Sequence, residues 1–264
     1  MKKLLIIALI ILGAGLVLSF VAFAVAGFNV DNLNAKNITE KDYIFEEQTL
    51  DSIVIDAVTA DVRVIASDTA TKAYLTVRAD SRKAQTVKCE GGVLTVDLDT
   101  LPWYKTIGIG WGNEQITLTI PKARQGDISI KLTTGDVDVV GVSAESLTAE
   151  VTTGDIGLDR VDISGRLTLT STTGDMTVEH ARALGAVTVR ATTGDVDLSF
   201  TDTPKSIDVE LTTGDVEMDL VNTMNFNVET TTGRKRVPHS DPSAPVCRVK
   251  TTTGDISIQY GIED

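Results

Sequence analysis

A tetrad, Thr-Thr-Gly-Asp, stands at residues 133–136, 152–155, 172–175, 192–195, 212–215 and 252–255, and a further copy at 231–234 reads Thr-Thr-Gly-Arg. The tetrad glycines, 135, 154, 174, 194, 214, 233 and 254, are spaced 19, 20, 20, 20, 19 and 21 residues apart. A near-constant period of this size marks a chain built from stacked units that cannot bury an apolar face alone. Nothing else in the sequence restricts the fold as strongly.

Around each tetrad the apolar residues alternate, as on a half-buried strand. In the copy at 214, Ile207, Val209, Leu211 and Thr213 share one parity, and Val216, Met218 and Leu220 share the other. The copies at 194 and 154 behave alike. The inward face therefore changes register across Gly-Asp, as it must where a chain bends around a core. In the first copy this predicts Leu132 and Thr134 pointing in, Gly135 and Asp136 out, and Val137 and Val139 in. Glycine suits such a bend because it accepts positive φ without a Cβ clash. Aspartate suits the next position because its carboxylate accepts hydrogen bonds from nearby turn N–H groups. Adjacent threonines on opposite faces argue against a flat double threonine array of the kind that orders ice.

Two architectures fit this pattern. In a parallel β-solenoid each repeat is one coil, and equivalent residues stack about 4.8 Å apart. In an antiparallel array each Gly-Asp is a two-residue hairpin turn. Near-constant repeat length and identical tetrads favour in-register stacking. Stacking in sequence order would place Arg234 between Asp215 and Asp255. It would also set Lys131, Glu150, Thr170, Arg190, Glu210, Glu229 and Lys250 in one outward column, with Glu210 beside Glu229.

From about residue 50 to 124 the chain still alternates, as in "SIVIDA", "DVRVIA", "AYLTVRA" and "VLTVDL", but without the tetrad. After residue 50 no stretch sustains helical periodicity; "EHARALGA" (179–186) is the nearest and is short. The expected organisation is an N-terminal span at 1–30, a polar tether at 31–48 and a β-solenoid at 49–264. The solenoid divides into an irregular part (49–124) and regular coils (125–264).

Met1-Lys2-Lys3 precedes an uncharged, mostly apolar run from Leu4 to Val30. That run is long enough for a transmembrane helix, which needs about 20 residues. A cleaved signal peptide is the rival, with Ala24-Val25-Ala26 as its cleavage site. Lys2 and Lys3 place the N-terminus in the cytoplasm and the rest outside. The expectation is a single-pass protein of the cytoplasmic membrane with an extracytoplasmic solenoid. Without Lys2 and Lys3 the remainder carries 22 basic and 37 acidic residues. Such a surface repels nucleic acid, which needs clustered Lys and Arg, and anionic lipid. Two cysteines, Cys89 and Cys247, give neither a disulfide framework nor metal-ligand spacing. Cys247 falls on the repeat position of Ile207 and reads as a buried small hydrophobe.

The order of these elements resembles a known family. It consists of the N-terminal span, "SIVIDAVTADVRVIAS" (52–67), "GGVLTVDL" (91–98), "ITLTIPK" (116–122), and Thr-Gly-Asp repeats to the C-terminus. This is the bacterial "putative adhesin" family, a domain-of-unknown-function group that includes the LiaG-like envelope-stress proteins. The resemblance covers nearly all of the exported part. It implies a right-handed parallel β-solenoid in the cell envelope, with no catalytic residue or cofactor.

Several residues are candidate sites. The tetrad aspartates Asp136, Asp155, Asp175, Asp195, Asp215 and Asp255 read first as corner caps. A Ca²⁺ ladder is the sharper alternative, but Ca²⁺ takes six to eight oxygens and the short nonapeptide calcium motif is absent. A carbohydrate-active β-helix enzyme would set two or three carboxylates in a groove. Uniform coils supply few loops to build one, so no enzyme is expected. Glu179–His180 and Asp159–Arg160 read as solvated turn residues. Two irregular segments are the partner-binding candidates. One is "LPWYKTIGIGWGN" (101–113), with Trp103, Tyr104 and Trp111. The other is "RKRVPHSDPSAPV" (234–246), where Arg234, Lys235 and Arg236 form the one basic cluster. The expected partner is an envelope protein or a cell-wall polymer.

Overall fold

The computed structural model describes residues 38–46, 49–98 and 114–260. The N-terminal apolar run and the segment carrying Trp103, Tyr104 and Trp111 lie outside them. Among the described residues no helix is long and apolar enough to cross a membrane.

The first seven strands are β1 (Ile38–Phe45), β2 (Ser52–Thr59), β3 (Asp61–Ser67), β4 (Ala73–Asp80), β5 (Gln85–Glu90), β6 (Val93–Leu98) and β7 (Gln115–Pro121). The repeats give β8 (Gln125–Thr134), β9 (Val137–Val140), β10 (Ser143–Thr153), β11 (Ile156–Asp159), β12 (Asp162–Ile163), β13 (Leu167–Thr173), β14 (Met176–Ala183), β15 (Ala186–Thr193) and β16 (Val196–Phe200). They continue through β17 (Ser206–Thr213), β18 (Val216–Leu220), β19 (Asn225–Thr232), β20 (Lys235–Arg236), β21 (Val246–Thr253) and β22 (Ile256–Tyr260). The "EHARALGA" segment begins within β14 and is not helical.

Each repeat is one coil of a parallel solenoid, which decides between the two architectures. The strand before each tetrad joins a leading sheet and the strand after it joins a trailing sheet. In the leading sheet Ile128, Leu147, Leu167, Val187 and Ile207 stack in register. In the trailing sheet Val137, Ile156, Met176, Val196 and Val216 do the same. All ten are buried. The core between the sheets is aliphatic; Phe200 is the fully buried aromatic ring among the described residues. At the N-terminal end the sheets are completed by antiparallel strands, β1 on β4, β4 on β7 and β5 on β6.

Both ends depart from sequence order. The coil β2–β3 lies between β6–β7 and β8–β9. At the other end β21–β22 lies on β17–β18, and β19–β20 lies outside it. Arg234 therefore does not sit between Asp215 and Asp255; it stands beyond Asp255, at the end of the column. The physical reason is amphipathicity. The last coil buries Cys247, Val249, Thr251, Ile256 and Ile258. Residues 225–236 offer Phe226 and Val228, both half-buried, and a trailing strand of two exposed residues. The coil with two apolar faces takes the inner place, and the poorer one covers it. The exchange also orders the charges, because Lys250 now lies between Glu210 and Glu229. The expected like-charge contact of Glu210 with Glu229 does not occur.

The tetrad bend is wider than parity predicts. Thr134 is exposed, not inward, and so is its equivalent in every tetrad copy. Residues 133–136 all lie at the surface because the chain has passed the edge of the core before it reaches glycine. The parity argument against a double threonine array therefore fails. The two threonine columns straddle a bend and do not share one flat strand face.

Candidate functional site

The tetrad edge is a continuous ladder. The N–H of Asp155 donates to Oδ1 of Asp136 at 2.9 Å. Asp175, Asp195 and Asp215 each donate to the preceding aspartate at 2.8 Å, and Asp255 donates to Asp215 at 2.7 Å. Asp61 heads the ladder, accepting from Asp136 at 3.2 Å. Each carboxylate thus caps the next coil, not its own turn as expected. Beside it the glycines take φ of 130–152°, where a side chain is strained. They also pack against one another. A Cβ on Gly174, Gly194, Gly214 or Gly254 would come within 1.9–2.0 Å of the carbonyl oxygen of the neighbouring coil's glycine. The tetrad is required twice over, for conformation and for close approach.

The basic cluster ends this ladder. The Arg234 N–H donates to Oδ1 of Asp255 at 2.8 Å, and its guanidinium reaches Oδ2 at 2.9–3.0 Å. These contacts, the backbone N–H first, hold the Asp255 carboxyl below the usual carboxylate range. Arg234 offers no carboxylate to a further coil, so the ladder stops there. Lys235 bonds the Val228 carbonyl at 3.3 Å, and Lys235 and Arg236 are exposed. Beside them Phe226, Val228, Val237 and Pro238 line a shallow groove of about 330 Å³.

At the opposite end, β6 stops at Leu98 and β7 resumes at Gln115. Residues 99–113 between them, which carry Trp103, Tyr104 and Trp111, lie outside the described residues. Glu114 is buried. It pairs with Lys83, their side chains 2% and 7% exposed, and accepts from the Thr59 hydroxyl at 3.0 Å. Asp80, also buried, is held below the usual range by the Arg82 guanidinium. The Lys83–Glu114 pair was not foreseeable, since it depends on the pairing of β4 with β7, which the sequence does not reveal; the Asp80–Arg82 pair is local, within the turn that ends β4.

Two further arrangements emerge on the trailing sheet. A groove of about 250 Å³ is lined by Thr177, Glu179, Asp197, Ser199, Glu217 and Asp219. Desolvation, then Glu217 and nearby aspartates, raises the Asp197 carboxyl above the ordinary range. At the far margin Asp159, Glu179 and His180 converge, with ligand atoms all within 4.8 Å of one another. These are the residues expected to be independent turn residues. Cys247 lies in register with Ile207 as expected, and burial pushes its thiol up to about 12.

Residues 50–260 match the family model of Toastrack DUF4097. The chain belongs to the Toastrack DUF4097 family. The family resemblance read from the order of motifs is thereby borne out. Solved structures with a similar outline include a "putative adhesin" from Bacteroides fragilis NCTC 9343, 18% identical, covering 86% of this chain and 99% of that one at a TM-score of 0.43. Another is a "putative cell adhesion protein" from Clostridium sporogenes ATCC 15579, 9% identical, covering 85% of this chain and 100% of that one at a TM-score of 0.40. These likenesses carry no argument about function. No curated protein matches the chain in sequence.

Proposed function

We propose that this Toastrack chain is a non-enzymatic binding scaffold of the bacterial envelope, a right-handed solenoid tethered by its N-terminal run to the outer face of the cytoplasmic membrane. One observation carries the reading: each internal tetrad carboxylate of the ladder is engaged by the N–H of the next coil. A repeated acid used in this way builds an edge and does not form an active site. Recognition then falls to the two segments that break the sequence repeat, 101–113 and 234–246. The Arg234–Lys235–Arg236 end suits an anionic envelope component, such as an anionic cell-wall polymer or the acidic face of a protein. The segment 101–113, with Trp103, Tyr104 and Trp111, suits a partner or glycan through its rings.

The test is retention of the full chain on peptidoglycan, teichoic acid and envelope proteins. It is compared with Trp103→Ala/Trp111→Ala and Arg234→Ala/Lys235→Ala/Arg236→Ala variants. The proposal expects at least one retained partner to be lost in one variant. Retention indifferent to both sets, or no retention at all, overturns it.

A further inference from the structure

We propose that Asp159, Glu179 and His180 form a site for a divalent transition-metal cation on the trailing sheet. Asp159 ends β11, and Glu179 stacks on it in register from the next coil. Consecutive residues of a strand point to opposite faces, so His180 should point away from Glu179. It does not, because His180 adopts φ 52° and the strand register shifts between Val178 and Ala181. That single left-handed residue puts both side chains on the outside, facing Asp159.

A second observation points to a ligand. Oδ1 of Asp159 is closed off from solvent and accepts no hydrogen bond. Its other oxygen is engaged by Arg160 at 2.7 Å. Nδ1 of His180 stands 3.7 Å from Oδ1. That distance is too long for a hydrogen bond. It is close to what one shared ion requires, since two donors about 2.1 Å from a tetrahedral cation lie about 3.4 Å apart. A cation there would satisfy the orphaned oxygen.

The donor set selects the metal. One imidazole and two carboxylates suit Zn²⁺ and its first-row neighbours, and leave a position for water. Ca²⁺ prefers six to eight oxygens, and a nitrogen donor counts against it. The acidic groove that shares Glu179 concentrates cations beside the site, while Arg160 competes for Asp159 and limits affinity. This site lies coils away from the Arg234–Lys235–Arg236 end to which binding of an anionic envelope component is assigned.

The experiment is equilibrium dialysis of the full chain in detergent against metal-free buffer with added Zn²⁺, for wild type, Glu179→Gln, His180→Asn and Asp175→Asn. Asparagine tolerates the left-handed backbone, and Gln matches Glu in shape, so both variants keep the fold; an unchanged urea midpoint without metal verifies this. The wild type is expected to hold one Zn²⁺ per chain. Glu179→Gln and His180→Asn should each weaken it by more than about tenfold, since even outer-shell partners of a metal site are worth about 10–100-fold. Asp175→Asn, in the ladder, should leave it unchanged. No bound Zn²⁺, or Zn²⁺ indifferent to both site substitutions, overturns the proposal.

Discussion

Replacing one ladder glycine by alanine, Gly194→Ala, should cost far more than its small volume suggests. A Cβ there would lie 2.0 Å from the Gly174 carbonyl oxygen and 2.6 Å from its carbon. Both are backbone atoms, so no side chain can swing aside. The coil must shift by about 1 Å to restore an ordinary contact of roughly 3 Å or more. That shift strains three hydrogen bonds: Gly194 N–H to Thr213, Asp195 N–H to Asp175 and Val196 N–H to Asp215. At about 1 kcal/mol each, with about 1–3 kcal/mol for the strained φ, the cost is about 4–6 kcal/mol. Gly91→Ala provides the comparison. Gly91 also has positive φ, 58°, but nothing lies within 4 Å of its added Cβ. It should cost only about 1–2 kcal/mol. Urea unfolding followed by circular dichroism measures both, with stability read from the midpoint at constant slope. If Gly194→Ala costs no more than Gly91→Ala, close glycine stacking does not hold the edge and the reasoning fails.

Other predictions follow from individual side chains. Asp255 has a depressed carboxyl, so its contact with Arg234 adds stability above the ordinary carboxylate value and loses it as pH falls through the folded value. The stability gap between wild type and Arg234→Ala in urea titrations should therefore narrow below about pH 4. Asp197 is shifted the other way: its ionised form is disfavoured, so wild type loses stability as pH rises through the folded value. Asp197→Asn should gain on wild type as pH rises above the ordinary carboxylate value of about 4, by less than about 1 kcal/mol because the residue is exposed. The Cys247 thiol, buried with its pKa pushed up to about 12, should resist maleimide in the native protein at pH 7.5 and react once urea unfolds it.

The sequence discloses this fold to the extent that the fold is local and periodic. Alternation around Gly154, Gly194 and Gly214 reveals strands, the bend and the residues that stack, because each depends on neighbours within one coil. Spatial coil order is different. It depends on which coil has the better apolar faces, and the swap of β19–β20 with β21–β22 becomes visible only when Cys247 and Val249 are compared with Phe226 and Val228. Thr134 was misplaced because parity counting assumes an extended chain up to the glycine. The Asp159–Glu179–His180 cluster was hidden because it needs one non-glycine residue at positive φ, which no composition rule marks. Of the candidate patches, Arg234–Lys235–Arg236 was legible as a break in a strict repeat, though its place at the end of the ladder was not.

The most direct test of the stacked-corner account is a pair of disulfide traps. In the structure Thr213 and Thr253 are in-register neighbours, whereas Thr213 and Thr232 are separated by the inserted coil. Neighbouring coils place Cα atoms about 4.8 Å apart, within disulfide range, and coils two apart about 9.6 Å, outside it. Mild oxidation of Thr213→Cys/Thr253→Cys should give a rapid intramolecular cross-link identifiable by mass spectrometry. Thr213→Cys/Thr232→Cys should give none. The opposite result, a cross-link in the second pair and not the first, would mean that the coils stack in sequence order and would contradict the account.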